Sequence, residues 1–190
     1  MYPIGSRKVA SKYSVLTYGN EKLRKKASLV KKVDAEIRQL AKDLLETMYT
    51  SNGVGLAAAQ VGRPECICVI DVPVRRDEQG RPVPPENPHV PMPLVLINPV
   101  IVETGGVQKG QEGCLSFPEI FVDIKRPAEV IVAFTSVDEK DVKIKAAGLL
   151  ARAILHEIDH LNGVLLVDHM SAVQKIAHGG KLRRLKKAAQ

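Results

Sequence analysis

The stretch His156-Glu157-Ile158-Asp159-His160 has the residue types and the spacing of a metal-dependent hydrolase. On an α-helix, histidines four positions apart lie one turn apart, about 40° round and about 6 Å along the axis, so both imidazoles reach one cation. Glu157 sits beside the first histidine and is not needed as a ligand. Its carboxylate is therefore free to trade protons with water at the ion, the role of the glutamate in the H-E-x-x-H pattern. Three fixed residues in five also arise by chance, and helix histidines are often only polar surface or satisfied core groups. The surroundings favour the metal. Leu150, Ile154, Ile158 and Leu161 form one apolar stripe, while Leu149 and Ala153 fall on the histidine side, so this helix must lie centrally. Two histidines on a buried helix need partners, which a cation supplies. Asn162-Gly163 is a helix stop that puts the pair in the last turns.

Two imidazoles leave an ion short of ligands, and the rest must come from outside the helix. Cys114, in Gln111-Glu112-Gly113-Cys114-Leu115-Ser116-Phe117-Pro118, is the candidate; Gly113 beside it permits close backbone approach, a setting that Cys66 and Cys68 lack. A metal deprotonates the thiol it binds, and two histidines with one cysteine leave an open position for catalysis. Taken alone, Cys114 reads equally well as a buried structural thiol. Cys66 and Cys68 read as small apolar groups of a buried strand. Three cysteines at uneven spacing argue against a disulfide framework and for reduced thiols.

The elements that must position these groups read as one α+β domain over residues 1–190, with short antiparallel strands wrapped around the central metal-binding helix. Residues 1–12 are basic, aperiodic and expected to be a loose start. Asp34 caps a predicted N-terminal helix in which Ile37, Leu40, Ala41, Leu44, Leu45 and Met48 recur at helical steps to about Thr50. Ser51-Asn52-Gly53 ends it, and residues 53–62 are expected as a loop of small residues before a strand from Cys66 to Asp71. Seven of the chain's 12 prolines lie between Pro73 and Pro93, an exposed excursion. Short strands are expected at Leu94–Asn98 and Ile101–Glu103 around Pro99. Further strands are expected at Ile120–Ile124, Val130–Val137 and Val142–Ala146, with a turn at residues 138–141. After the metal-binding helix, a short strand at Val164–Val167 leads to a basic C-terminal helix over 171–190. Ser171 and Gln174 form its capping box, and Gly179-Gly180 is a candidate break.

At 190 residues the chain supports one core, and no apolar run approaches the roughly 20 residues of a membrane span. No secretory leader is apparent, so an intracellular protein is expected. Most of the net charge of +7 comes from the tail, where Lys175, Lys181, Arg183, Arg184, Lys186 and Lys187 occur without an acid after Ser171. Such a helix is either a solvated end or a dock for an anionic partner such as ribosomal RNA.

Three segments together resemble the motifs of the peptide deformylase family: Gly53-Val54-Gly55-Leu56-Ala57-Ala58-Ala59-Gln60, Glu112-Gly113-Cys114-Leu115-Ser116 and His156-Glu157-Ile158-Asp159-His160. Each is weakly or moderately specific alone, but they occur in the family's order. The resemblance extends through Leu23-Arg24 and Leu161-Asn162-Gly163-Val164-Leu165, from about residue 14 to 187. It implies a cytoplasmic enzyme of a bacterium, or of an organelle, that removes the formyl group from the N-terminal formylmethionine of new polypeptides and releases formate. It implies a divalent ion held by Cys114, His156 and His160, with ferrous iron expected in the native enzyme and Zn2+, Ni2+ or Co2+ as substitutes. Glu157 matches the general acid/base, and Gln60 and the Leu115 N–H match the oxyanion-stabilising groups. Val54 and Gly55 match substrate-lining positions, and Val54, Leu115 and Ala153 are candidates for the methionine pocket. A monomer is expected, with the ribosome as a partner through the basic helix and no sequence-specific nucleic acid. The family usually has proline where Ala59 stands, so the turn holding Gln60 should be less preorganised. Asp159 is expected either behind the ligands or paired with Arg152. The rivals are a zinc peptidase, which would need Asp168 or His169 as third ligand, and a ribosome-bound module without turnover.

Overall fold

The computed structural model describes residues 12–74, 76–83 and 86–189, so the loose start expected for residues 1–12 falls outside the described residues except at Lys12. Its framework is an antiparallel sheet in the order β1-β2-β3-β6-β7, formed by Gly55–Ala57, Ile67–Ile70, Leu94–Gly105, Glu129–Thr135 and Asp141–Ala147. A separate hairpin pairs β4 (Gln108–Gly113) with β5 (Phe121–Arg126). Helix α1 (Ala35–Thr50) and helix α2 (Gly148–Leu161) cover opposite faces of the larger sheet, and α3 (Ala172–Ala177) and α4 (Gly179–Ala188) close the chain.

Strand β2 shows why the two helices sit where they do. Side chains alternate across a strand, so Ile67 and Val69 join Leu40, Leu44 and Met48 of α1, while Cys68 and Ile70 join Leu150, Ile154 and Ile158 of α2. All four β2 residues are therefore buried, which explains the unbroken apolar run. The Asp34 carboxylate caps α1 as expected, accepting from the Ile37 N–H at 3.0 Å. A third cluster, including Leu23, Phe117, Ile120, Val122 and Leu166, lies where Leu182 and Leu185 of α4 pack.

Four local expectations are corrected. Residues 53–62 are not a plain loop: they give edge strand β1 and a 3-10 turn over Ala58–Val61. Pro99 does not divide two strands, because β3 runs through it as 12 residues with register shifts between Ile97 and Val100 and between Ile101 and Glu103. Bulges of this kind admit a proline that cannot donate to the ladder. Beside it, the Asn98 amide holds both the N–H and the C=O of Val30, at 2.9 and 2.8 Å. Val164–Val167 is not a strand but the approach to a 3-10 turn at Leu166–Asp168, where the Asp168 carboxylate accepts from the Leu165 N–H. The C-terminal segment is two helices, α3 starting at the expected Ser171 capping box and the break falling at His178, before Gly179.

Strand β4 had no counterpart among the sequence expectations. Its residues, Gln-Lys-Gly-Gln-Glu-Gly, carry no apolar alternation, and their pairing is imposed by β5 across the hairpin.

Candidate metal centre

Helix α2 enters the core with its apolar stripe, which turns His156 and His160 towards the end of β4. Cys114 follows β4 directly. Ligand atoms of Cys114, His156 and His160 lie within 4.8 Å of one another, with Cys114 Sγ 3.2 Å from His160 Nε2. A four-coordinate ion with bonds of 2.0–2.3 Å separates its ligand atoms by about 3.5 Å, so small adjustments close this set around one cation. The donor chemistry fits as well, because one thiolate and two imidazoles suit zinc and ferrous iron alike. Burial, reinforced by His156 and Arg126 nearby, lowers the pKa of His160 and favours the neutral ring a ligand must be.

The elements behind the ligands were not fully legible in the sequence. Glu112, the β4 residue two before Cys114, is buried and accepts from His156 Nδ1 at 3.0 Å, which leaves the His156 Nε2 side for an ion. It also accepts from Arg126 at 2.9 and 3.0 Å and from Arg152 at 2.7 Å. Burial alone would raise the Glu112 carboxyl, but hydrogen bonds from His156 and Arg126 outweigh it and hold the group ionised far below the usual carboxylate range. Asp159 stands behind the ligands but is not paired with Arg152: it accepts from Arg126 at 2.6 Å and lies 2.8 Å from His169 Nε2. Asp168 is tied to Arg24, so neither Asp168 nor His169 approaches the ion site. Sequence reasoning placed Glu112 in a motif without giving it a task. The signal was an acid two residues before the cysteine, with Arg126 ending β5 and Arg152 on the otherwise apolar first half of α2.

Removing this acid has a calculable cost. Glu112→Ala would leave two buried guanidinium groups short of their counter-ion and should destabilise the fold by about 3–5 kcal/mol, with a lower affinity for the metal. Denaturant unfolding of the variant checks this, and a loss under about 1 kcal/mol would mean that the network carries little.

Glu157 packs on Gly55 of β1, where a Cβ would overlap its carboxylate, so only glycine leaves room for the acid. Burial pushes the Glu157 carboxyl up to about 7. Among the described residues neither its Oε2 nor His160 Nδ1 has a hydrogen-bond partner, and unmet buried polar atoms at this point await a group from outside the chain.

Gln60 is also buried, and its amide is fixed despite Ala59. Oε1 accepts from the Ala57 N–H at 2.8 Å, which orients Nε2 towards Cys114 Sγ at 3.6 Å and Ser116 Oγ at 3.3 Å. A cavity of about 470 Å³ opens onto these groups, lined by Val54, Gly55, Leu115, Leu149, Ala153 and Phe121 among others. Every residue singled out as a candidate site in the sequence thus lies in the ligand cluster, in the cavity wall or in both. Cys66 and Cys68 do not: Cys68 is core, and Cys66 packs against the same cluster.

A family model described as polypeptide deformylase matches residues 12–176. A peptide deformylase of Synechococcus sp. (strain RCC307) is 41% identical over 186 residues, covering 97% of this chain and 85% of the relative. Another, from Picosynechococcus sp. (strain ATCC 27264 / PCC 7002 / PR-6), is 46% identical over 167 residues, covering 87% and 82%. The crystal structure of peptide deformylase from Ehrlichia chaffeensis superposes with a TM-score of 0.81 at 36% identity, covering 93% of this chain and 97% of that one. A helix-borne H-E-x-x-H, a cysteine brought to it by a strand end and a buried carboxylate beside them are the marks of a metal-dependent hydrolase. The extent of the matches settles the rest. This chain belongs to the peptide deformylase family, which removes the N-formyl group from nascent peptides in a metal-dependent hydrolysis.

Proposed function

We propose that the work of deformylation is divided among these side chains as follows: Cys114, His156 and His160 hold a single divalent ion, Glu157 moves the proton, and Gln60 with the Leu115 N–H receives the developing negative charge. The observation that carries this is the convergence of the three ligand atoms beside the unpartnered Glu157 Oε2. When bound, the ion supplies Lewis acidity, bringing the pKa of water from about 15.7 towards 7 and polarising the formyl oxygen. Glu157 accepts a proton from the water that attacks the formyl carbon, then returns it to the leaving nitrogen as the C–N bond breaks, giving formate and a free amine. The Gln60 amide stabilises the oxyanion because its oxygen is held by the Ala57 N–H, which aims Nε2 into the site, where its N–H groups exchange the Cys114 Sγ and Ser116 Oγ contacts for the developing charge. Gln60→Ala is accordingly expected to lower kcat by roughly 10²–10³ with KM little changed. Steady-state kinetics decide this, and a fall confined to KM would reassign Gln60 to ground-state binding.

The apolar wall of Val54, Leu115 and Ala153 suits an unbranched thioether side chain, which supports formylmethionine as the N-terminal residue. Release of formate from a formylmethionyl tripeptide, with no cleavage of its peptide bonds, tests the reading against that of a peptidase. Ferrous iron is proposed as the native ion, with which the donor set is compatible as it is with zinc; metal analysis of protein purified without oxygen, and the rate of inactivation in air, decide between the two.

The chain is proposed to act as one catalytic domain over residues 1–190 and as a monomer in the bacterial cytoplasm. The bacterial relatives support the bacterial assignment, and among the described residues no helix is long and apolar enough to cross a membrane. For the C-terminal helices, docking on the ribosome is supported by the exposed Arg183, Arg184, Lys186 and Lys187 together with exposed Val173 and Ile176 on α3. Equal co-sedimentation with ribosomes with and without residues 171–190 would exclude it.

A further inference from the structure

The proline-rich excursion is not simply a solvated loop, because its last part grips the helix that carries the metal ligands. Helix α2 begins without a cap of its own: Ala147 offers no side-chain acceptor, and Gly148 takes a φ of 58°. The N-cap residue itself is held from 60 residues away. The Asn87 Oδ1 accepts from the Ala147 N–H at 2.8 Å and its Nδ2 donates to the Ala147 C=O at 3.2 Å, bracketing the backbone of one residue as a neighbouring strand would. Glu86 lies beneath Gly148 so closely that a Cβ there would overlap its carboxylate, a negative group placed where the positive end of the helix dipole favours it. On the other flank, Gln108 Nε2 donates to the Gly148 C=O at 3.0 Å and the Pro127 C=O at 2.9 Å.

Contacts to α2 differ along its length, although Glu112 reaches both halves, through Arg152 as well as through His156. His156 and Asp159, in its second half, are fixed by Glu112 and Arg126. Leu149 and Ala153, in its first half, line the cavity, and Leu149 follows the clamped Ala147-Gly148 turn directly. We propose that Asn87 is a positioning residue for substrate selection: it clamps the start of α2 and thereby sets where Leu149 and Ala153 stand in the wall of the pocket that receives the N-terminal side chain. This rests on the deformylase reading of the site and gives the 73–93 excursion a task.

The test compares the metal-loaded full chain with its Asn87→Ala and Asn87→Asp variants on formylmethionyl and formylnorleucyl tripeptides. Losing the equivalent of one net hydrogen bond at the helix start should raise KM for the methionyl substrate roughly fivefold in the alanine variant. The preference between the two substrates should shift as well, while kcat stays within about twofold and metal content is unchanged. Aspartate keeps the acceptor for Ala147 but sets an anionic oxygen against the Ala147 C=O with Glu86 nearby, so its rise should be at least as large as that of alanine. A residue that only stabilised the fold would lower the melting temperature and leave KM and preference alone; that result overturns the proposal. If the alanine variant does not fold, the aspartate variant decides, and an unchanged KM in it is equally fatal. If the parent chain releases no formate, the reading of function has failed. The clamp is then judged by hydrogen exchange of the amides of residues 149–152, which must quicken in the aspartate variant or the clamp is refuted.

Discussion

Glu157→Gln is expected to cut the kcat of formate release by about 10²–10⁴ while leaving the metal in place and KM nearly unchanged. The carboxylate is not among the converging ligand atoms, so its loss should not empty the site. It is buried against Gly55 with Oε2 unpartnered, so no other described side chain stands ready to take over the proton. The same substitution should leave stability equal or raise it. An unpaired buried carboxylate costs more free energy when ionised than a neutral amide of the same shape, which leaves a polar atom unmet but carries no charge, and active-site groups are where a protein tolerates that cost. Metal content, kcat and the unfolding midpoint measured on one preparation check all three parts. A variant still turning over within tenfold of the parent would remove Glu157 from the chemistry.

The second large effect is expected at Cys114. Cys114→Ser replaces a thiolate with a hydroxyl that stays neutral, so the two imidazoles are left to hold the ion without their anionic partner. Bound metal should fall from one per chain to a small fraction, and activity by roughly a thousandfold or more, since the Lewis acid contributes several kcal/mol of transition-state stabilisation. The fold should survive. Cys114 is only half-buried, and the rest of its cluster, built on Phe117, Ile120, Val122 and Leu166, does not depend on the sulfur. Chelation of the parent chain should reproduce the loss. Adding back the metal should then restore the parent and not the serine variant. A serine variant that retains a full equivalent of metal would mean that the sulfur is no ligand.

Much of the fold could be read directly where structure is local. Helix α1 has a cap and a period, and its bounds come out at Asp34 and Thr50 as expected, because both signals lie within a few residues of the feature they specify. Strands β2, β5, β6 and β7 were visible as apolar or alternating runs. Strand β4 was not, since Gln108–Gly113 has nothing to alternate, and β3 was read as two pieces because the bulge that absorbs Pro99 depends on the register with β6. The strand expected at Val164–Val167 failed for a related reason: four apolar residues suit a buried 3-10 turn as well as a strand, and the Asp168 contact to the Leu165 N–H decided between them.

By itself the sequence determined the pair of histidines, the acid beside them and the face on which they stand, because α-helical geometry converts a spacing of four into a direction in space. It also determined the family, through three short motifs. Only the tertiary structure decided that Cys114, 46 residues before His160, arrives within 3.2 Å of it. The same holds for Glu112 orienting His156, for Arg126 rather than Arg152 answering Asp159, and for Asn87 seating the helix start. Spacing along a chain fixes neighbours within a turn or two; which distant groups meet depends on strand register and packing, which no local pattern encodes.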